Sequence, residues 1–150
     1  MGKSKLLLFV AVIFGITIAG CASMSDVLSS KADGTAVTYP VSQDQAWDIA
    51  MTVLRWEDCE TIEEHKSQGY MLTTVGQNFI SAGSLIGVWV DKVDDNNTKV
   101  TIVSKRKVQT NVATGLTEGT FQRRFAQAVD IVKSGEKLPI EAPPYQTQNN

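Results

Sequence analysis

The sequence predicts an α+β domain: a two-layer sandwich in which an antiparallel sheet carries two helices on one face, in the order β-α-β-β-β-β-α. Three observations carry that prediction. Two stretches repeat apolar residues at helical spacing behind an N-capping side chain. Several stretches alternate apolar and polar residues, separated by clusters of turn formers. Consecutive strands joined by short turns pair antiparallel, and two amphipathic helices need one shared face to bury their stripes.

The elements follow in order. Ala36 to Val41 reads as a short strand ending at Pro40-Val41. Ser42 then offers an N-cap, and Gln45 three residues on completes a capping box, worth ~1 kcal/mol. The helix behind it places Ala46, Trp47, Ala50, Val53 and Leu54 on one face, with Asp44 near the positive end of the macrodipole. Residues 59–65 and 70–75 read as a hairpin turned at Lys66-Ser67-Gln68-Gly69, and Gln77 to Ser84 as a loop of small residues. Leu85 to Val93 and Thr98 to Val108 form a second hairpin around Asp94-Asp95-Asn96-Asn97. Thr117 caps a last helix from Glu118 to Lys133, with an apolar stripe of Phe121, Phe125, Ala128, Val129 and Val132; Gly135 suits its C′ position.

The chain has 150 residues, enough for one ordinary domain. It divides into a signal at 1–20, a tether at 21–33, the α+β domain at 34–135 and an irregular or disordered tail at 136–150. The tail holds Pro139, Pro143 and Pro144 and closes on polar residues. Ala22 to Asp33 is small and polar without a sustained period, so a flexible link is expected there.

The N-terminus is the most specific feature. Lys3 and Lys5 form a basic region, and the uncharged run Leu6 to Gly20 follows. As a helix it spans roughly 22 Å, short of the ~30 Å hydrocarbon core, which suits an export signal better than a permanent membrane span. The run ends in Ile18-Ala19-Gly20-Cys21, which resembles the bacterial lipobox. That resemblance implies cleavage between Gly20 and Cys21, a diacylglyceryl thioether on Cys21 and an acylated amine. Two or more acyl chains anchor a protein durably, because binding grows by ~0.8 kcal/mol per buried CH₂. Ala22, in place of the Asp that favours inner-membrane retention, implies the outer membrane facing the periplasm.

Loss of Lys3 and Lys5 with the signal takes the formal net charge from −2 to −4. A mildly acidic domain lacks the basic face that nucleic acid requires. With Cys21 modified, Cys59 has no partner within the chain; a buried inert thiol is the first reading and an intermolecular disulfide the second.

Candidate chemistry is sparse. The only histidine, His65, stands beside Glu63 and Glu64, and strand alternation puts Glu63 and His65 on one side. No second histidine or usable cysteine exists to complete a metal site. Cys59 and His65 lie ~20 Å apart on one extended strand, too far for a nucleophile and its base. The acids Glu57, Asp58, Glu60, Glu63 and Glu64 read as a solvated strand edge. Lys105, Arg106 and Lys107 alternate between faces, and Arg123 and Arg124 sit away from the apolar stripe of their helix. No catalytic residue, cofactor or metal is expected.

Trp89 is more informative. Ile86, Val88 and Val90 share one strand face and Trp89 the other, with Gly87 and Asp91. If the first set faces the helices, Trp89 with Thr101 and Val103 forms an open candidate partner surface; the alternative is that Trp89 is core. Finally, Tyr39-Pro40-Val41-Ser42, Ala46-Trp47 and the hairpins that follow resemble the BamC-like small envelope lipoprotein domains over about residues 35–135. That resemblance implies a non-enzymatic envelope protein. The expectation is a lipid-anchored module that binds an envelope protein or supports assembly; the alternative is a small-ligand or lipid carrier with a pocket between sheet and helices.

Overall fold

The structure, a computed structural model, describes residues 22–59, 61–77, 82–107 and 116–145. The signal, Gly20, Cys21, Glu60 and residues 146–150 lie outside the described residues, as does part of the expected loop between Gln77 and Ser84. The elements are α1 (Met24–Ser29), β1 (Thr35–Tyr39), α2 (Gln43–Trp56), β2 (Ile62–His65), β3 (Tyr70–Gln77), β4 (Ala82–Lys92), β5 (Thr98–Arg106) and α3 (Glu118–Lys133). The five strands form one antiparallel sheet in the order β1-β5-β4-β3-β2. The predicted α+β class and the run from β1 to α3 match.

Local chemistry sets the helix ends. Ser42 Oγ accepts from the Gln45 N–H at 3.3 Å, and Gln45 Oε1 accepts from the Ser42 N–H at 3.1 Å, so the capping box starts α2. Its last turn closes through Asp58 N–H to Arg55 C=O and Cys59 N–H to Leu54 C=O, with Asp58 in the left-handed region at φ 60°. That closure draws Cys59 back onto the helix, which is why β2 begins at Ile62 rather than at residue 59. Thr117 caps α3, and Gly135, at φ 83°, closes it in the same way.

Strand alternation then divides the apolar residues between two faces. Met71, Val75, Ile86, Val88, Val90, Val100 and Ile102 meet both long helices, among them Ile49, Val53 and Leu54 of α2 and Phe121 and Phe125 of α3. Each such side chain fully buried contributes roughly 1.5–3 kcal/mol of hydrophobic stabilisation. Tyr39 packs on Phe125 at 4.5 Å between ring centroids, and its hydroxyl donates to Gln122 Oε1 at 2.7 Å. Gln122 also donates to the backbone of β1 and β5, and this bonding explains a buried amide inside an otherwise apolar stripe.

The second face corrects one expectation. The segment expected to be a flexible tether folds: Ser23 and Asp26 form a capping box, α1 follows, and a 3₁₀ turn covers Lys31–Asp33. Val27 of α1 is fully buried against Leu72, Leu85, Trp89 and Val103. The six-residue α1 therefore covers part of the face of the sheet opposite the two long helices. At the other end the tail is irregular, as expected, but it is docked. Trp56 Nε1 donates to Pro139 C=O at 3.0 Å and Gln127 Nε2 to Pro144 C=O at 2.9 Å.

Candidate functional site

Trp89 and Thr101 are cross-strand partners, and Val103 lies two residues further on the same face, opposite the long helices. Their shared face is therefore as expected, but its exposure is not. Trp89 is 5%, Thr101 3% and Val103 3% exposed. Three contacts cover them. Val27 packs on Trp89, the Lys31 ammonium lies 5.9 Å from the Trp89 ring centroid while pairing with Asp91 at 2.9 Å, and the chain crosses at Gly34. A Cβ at Gly34 would fall 2.6 Å from Ile102 O and 2.7 Å from Val103 Cγ2, so only glycine lets the backbone lie this close. The sequence signal for this cover is Ser23-x-x-Asp26 ahead of Val27-Leu28, a capping box before apolar residues.

The titratable residues do not converge. His65 Nε2 pairs with Glu63 Oε1 at 2.7 Å on β2, confirming their common side, and its ring stacks on Tyr70 at 4.5 Å. Glu64 points the other way and accepts from Trp47 Nε1 at 2.9 Å. Cys59 is a free, buried thiol, and burial pushes it up to about 12, far from the thiolate a nucleophile needs. Among the described residues no group of three His, Cys, Asp or Glu side chains gathers as metal ligands.

Among the basic residues, Arg123 is exposed as expected, whereas Arg124 is buried. Arg124 Nε bonds Glu57 Oε1 at 3.1 Å, Nη1 donates to Gln127 and to Pro143 C=O, and the guanidinium lies 3.6 Å from the Tyr145 ring centroid. Its position away from the apolar stripe is the position that faces the returning tail. Glu57, read as a solvated acid, is its counter-ion.

Among the described residues, a groove and the sheet edges are accessible. A groove of about 670 Å³ runs between α3 and the tail, with Arg123, Gln127, Asp130, Ile131, Glu136 and Tyr145 among its walls. The two sheet edges differ in chemistry. At β2 the edge is four residues long and carries Glu63 and Glu64, charges that oppose pairing with another strand. At β1 the edge is Thr-Ala-Val-Thr-Tyr, uncharged, with its first four residues exposed. No family model, curated protein or solved structure matches the chain. The candidate functional site therefore rests on its own geometry: the β1 edge, exposed from Thr35 to Thr38, with Glu118 and Gln122 bonded to the Thr35 backbone at its start.

Proposed function

We propose that the chain is a bacterial envelope lipoprotein, anchored by lipid on Cys21, whose mature domain binds a protein partner at the periplasmic face of the outer membrane and performs no covalent chemistry. The lipobox-like Ile18-Ala19-Gly20-Cys21 behind an uncharged run supports the anchor. Among the described residues no helix is long and apolar enough to cross a membrane. The observation that carries the binding reading is the contrast between edges. A partner that adds an extended segment along residues 36–38 gains main-chain hydrogen bonds without meeting a charged side chain of the strand itself, which is recognition by strand addition. The Glu118 carboxylate is bonded to Thr35 at the start of the strand. The BamC-like likeness of the β-α-β-β-β-β-α core fits the same reading. The carrier alternative has less support, because Phe121, Phe125, Ile49, Leu54 and Ile86 occupy the space a ligand would need.

The test has two parts. Intact-mass analysis of the membrane-fraction protein is expected to show acyl chains on Cys21, and Cys21→Ser to move the protein to the soluble fraction. The wild-type protein is then used to capture partners from detergent-solubilised envelopes alongside an Ala36→Lys, Thr38→Lys double variant. A stoichiometric protein held by the wild type and lost from the variant supports the reading. Co-purified lipid or small molecule with no protein overturns it in favour of the carrier.

A further inference from the structure

Lipid attached to a flexible tether of twelve residues would leave the domain free to stand off by roughly 20 Å. The folded N-terminus removes that freedom. The Ala22 N–H donates to Lys107 C=O at 3.3 Å, and the Lys107 N–H donates to Gly83 C=O at 3.1 Å, so the residue after Cys21 is bonded to the end of the β4–β5 hairpin. The Ser23–Asp26 box, the buried Val27 and the Lys31–Asp91 pair hold the rest of the segment down. One peptide unit, about 3.8 Å between Cα atoms, separates Ala22 from the residue that carries the lipid.

The charges at the two ends of the hairpin differ. Lys105, Arg106 and Lys107 lie at the Ala22 end, with Arg106 exposed. Asp26 and Glu118, near them, are both engaged: Asp26 is bonded to Ser23, and the Glu118 carboxylate accepts from the Thr35 and Ser104 N–H groups. At the opposite end, roughly 35 Å away along β4, the turn carries Asp94 and Asp95. Lys92 there is paired with Asp95 at 2.6 Å.

We propose that the sheet end bearing Ala22 and Lys105–Lys107 rests on anionic headgroups of the bilayer that holds the Cys21 lipid, with the docked N-terminus setting this orientation. β4 and β5 then stand on the membrane and the Asp94–Asn97 turn points away from it. The inference rests on the lipoprotein reading and adds a surface and its partner: a lipid surface rather than a protein. It explains why a chain of net negative charge keeps three successive cations beside its anchor.

The test uses the acylated full-length protein in vesicles of phosphatidylcholine and phosphatidylglycerol containing a headgroup-nitroxide lipid. A fluorophore is attached to Arg106→Cys or to Asp95→Cys; the protein with Cys59 alone controls for labelling of the buried thiol. Quenching several-fold stronger at 106 than at 95 is expected. A 12-residue Gly-Ser insertion between Cys21 and Ala22 is expected to reduce quenching at 106 at least two-fold. Equal or reversed quenching, or no change with the insertion, overturns the inference while leaving the lipoprotein reading intact if intact mass shows the acyl chains. Absence of the acyl chains overturns both.

Discussion

Val27 occupies the volume that a side chain at position 87 would need. A Cβ added to Gly87 would lie 2.6 Å from Val27 Cγ1 and 2.8 Å from the Trp89 ring. The glycine in the middle of β4 thus forms the pit into which α1 lowers its buried residue. Gly87→Ala is expected to destabilise the domain by about 1–3 kcal/mol through overpacking. Val27→Ala is expected to cost about 2 kcal/mol through lost burial and a residual cavity. Because the two positions share one space, the double variant is expected to cost less than the sum of the singles. Urea titrations of the four proteins measure that coupling, and strict additivity would show that α1 does not sit in the pit.

Trp89→Ala is expected to lower stability by about 3–5 kcal/mol, the range for deleting a buried aromatic ring. A solvent-exposed tryptophan would change stability by no more than about 0.5 kcal/mol. Thermal unfolding followed by circular dichroism distinguishes the two, and Trp89→Phe should recover most of the loss. Removal of residues 22–30 should uncover the same ring and shift tryptophan emission to the red.

The sheet and its two long helices were legible because each carries its own local signal. Ser42 with Gln45 marks one helix start, Thr117 the other, and Ile86, Val88 and Val90 alternate cleanly. Trp89, Thr101 and Val103 also read as sharing a second face, but alternation says only which residues share a face, not what covers it. The cover is a six-residue helix with one buried side chain, too short to show a period. Arg124 and Gln122 were missed for a related reason. Their burial depends on the tail and on the β1 backbone, which are distant in sequence and leave no trace in helical spacing. The exposed β1 edge left no signal in the sequence, since an edge is a property of the assembled sheet.

Alkaline pH should unfold the domain through two buried acids. Burial raises Cys59 from 9.0 to about 12 and Tyr39 from 10.0 to about 12. Each favours its neutral form in the fold, so neither affects stability while both states are protonated. Above pH 9 the unfolded state loses the Cys59 proton and the folded state keeps it, so stability falls with rising pH. The slope approaches ~1.4 kcal/mol per pH unit per group until the folded value is reached, with Tyr39 joining above pH 10. Cys59→Ala should remove the first part of this dependence and leave the second. Urea midpoints measured between pH 8 and 11 test it; a flat profile for the wild type would contradict both burials. The same burial predicts that a thiol reagent at pH 8 modifies Cys59 only after denaturation.

Arg124 joins α3, the end of α2 and the tail through one planar group. Its side chain is 10% exposed and that of Glu57 19%, so the pair is shielded from solvent and salt. Replacing it with methionine keeps the packing but strands the Glu57 carboxylate and releases Pro143 and Tyr145. Breaking a fully buried pair costs 3–5 kcal/mol; with Glu57 partly wet, a loss of about 2–3 kcal/mol is expected here. Arg124→Lys should be nearly as costly. A single ammonium cannot face Glu57, Gln127 and the Pro143 carbonyl while also stacking on Tyr145. The joint variant Glu57→Gln, Arg124→Met should recover part of the loss, because no unpaired charge is then left inside. Thermal melts give the stability order, and limited proteolysis gives the location. Cleavage after Lys137 should accelerate in both single variants of Arg124, since that bond precedes the docked prolines, and unchanged cleavage would show that the tail is held without Arg124.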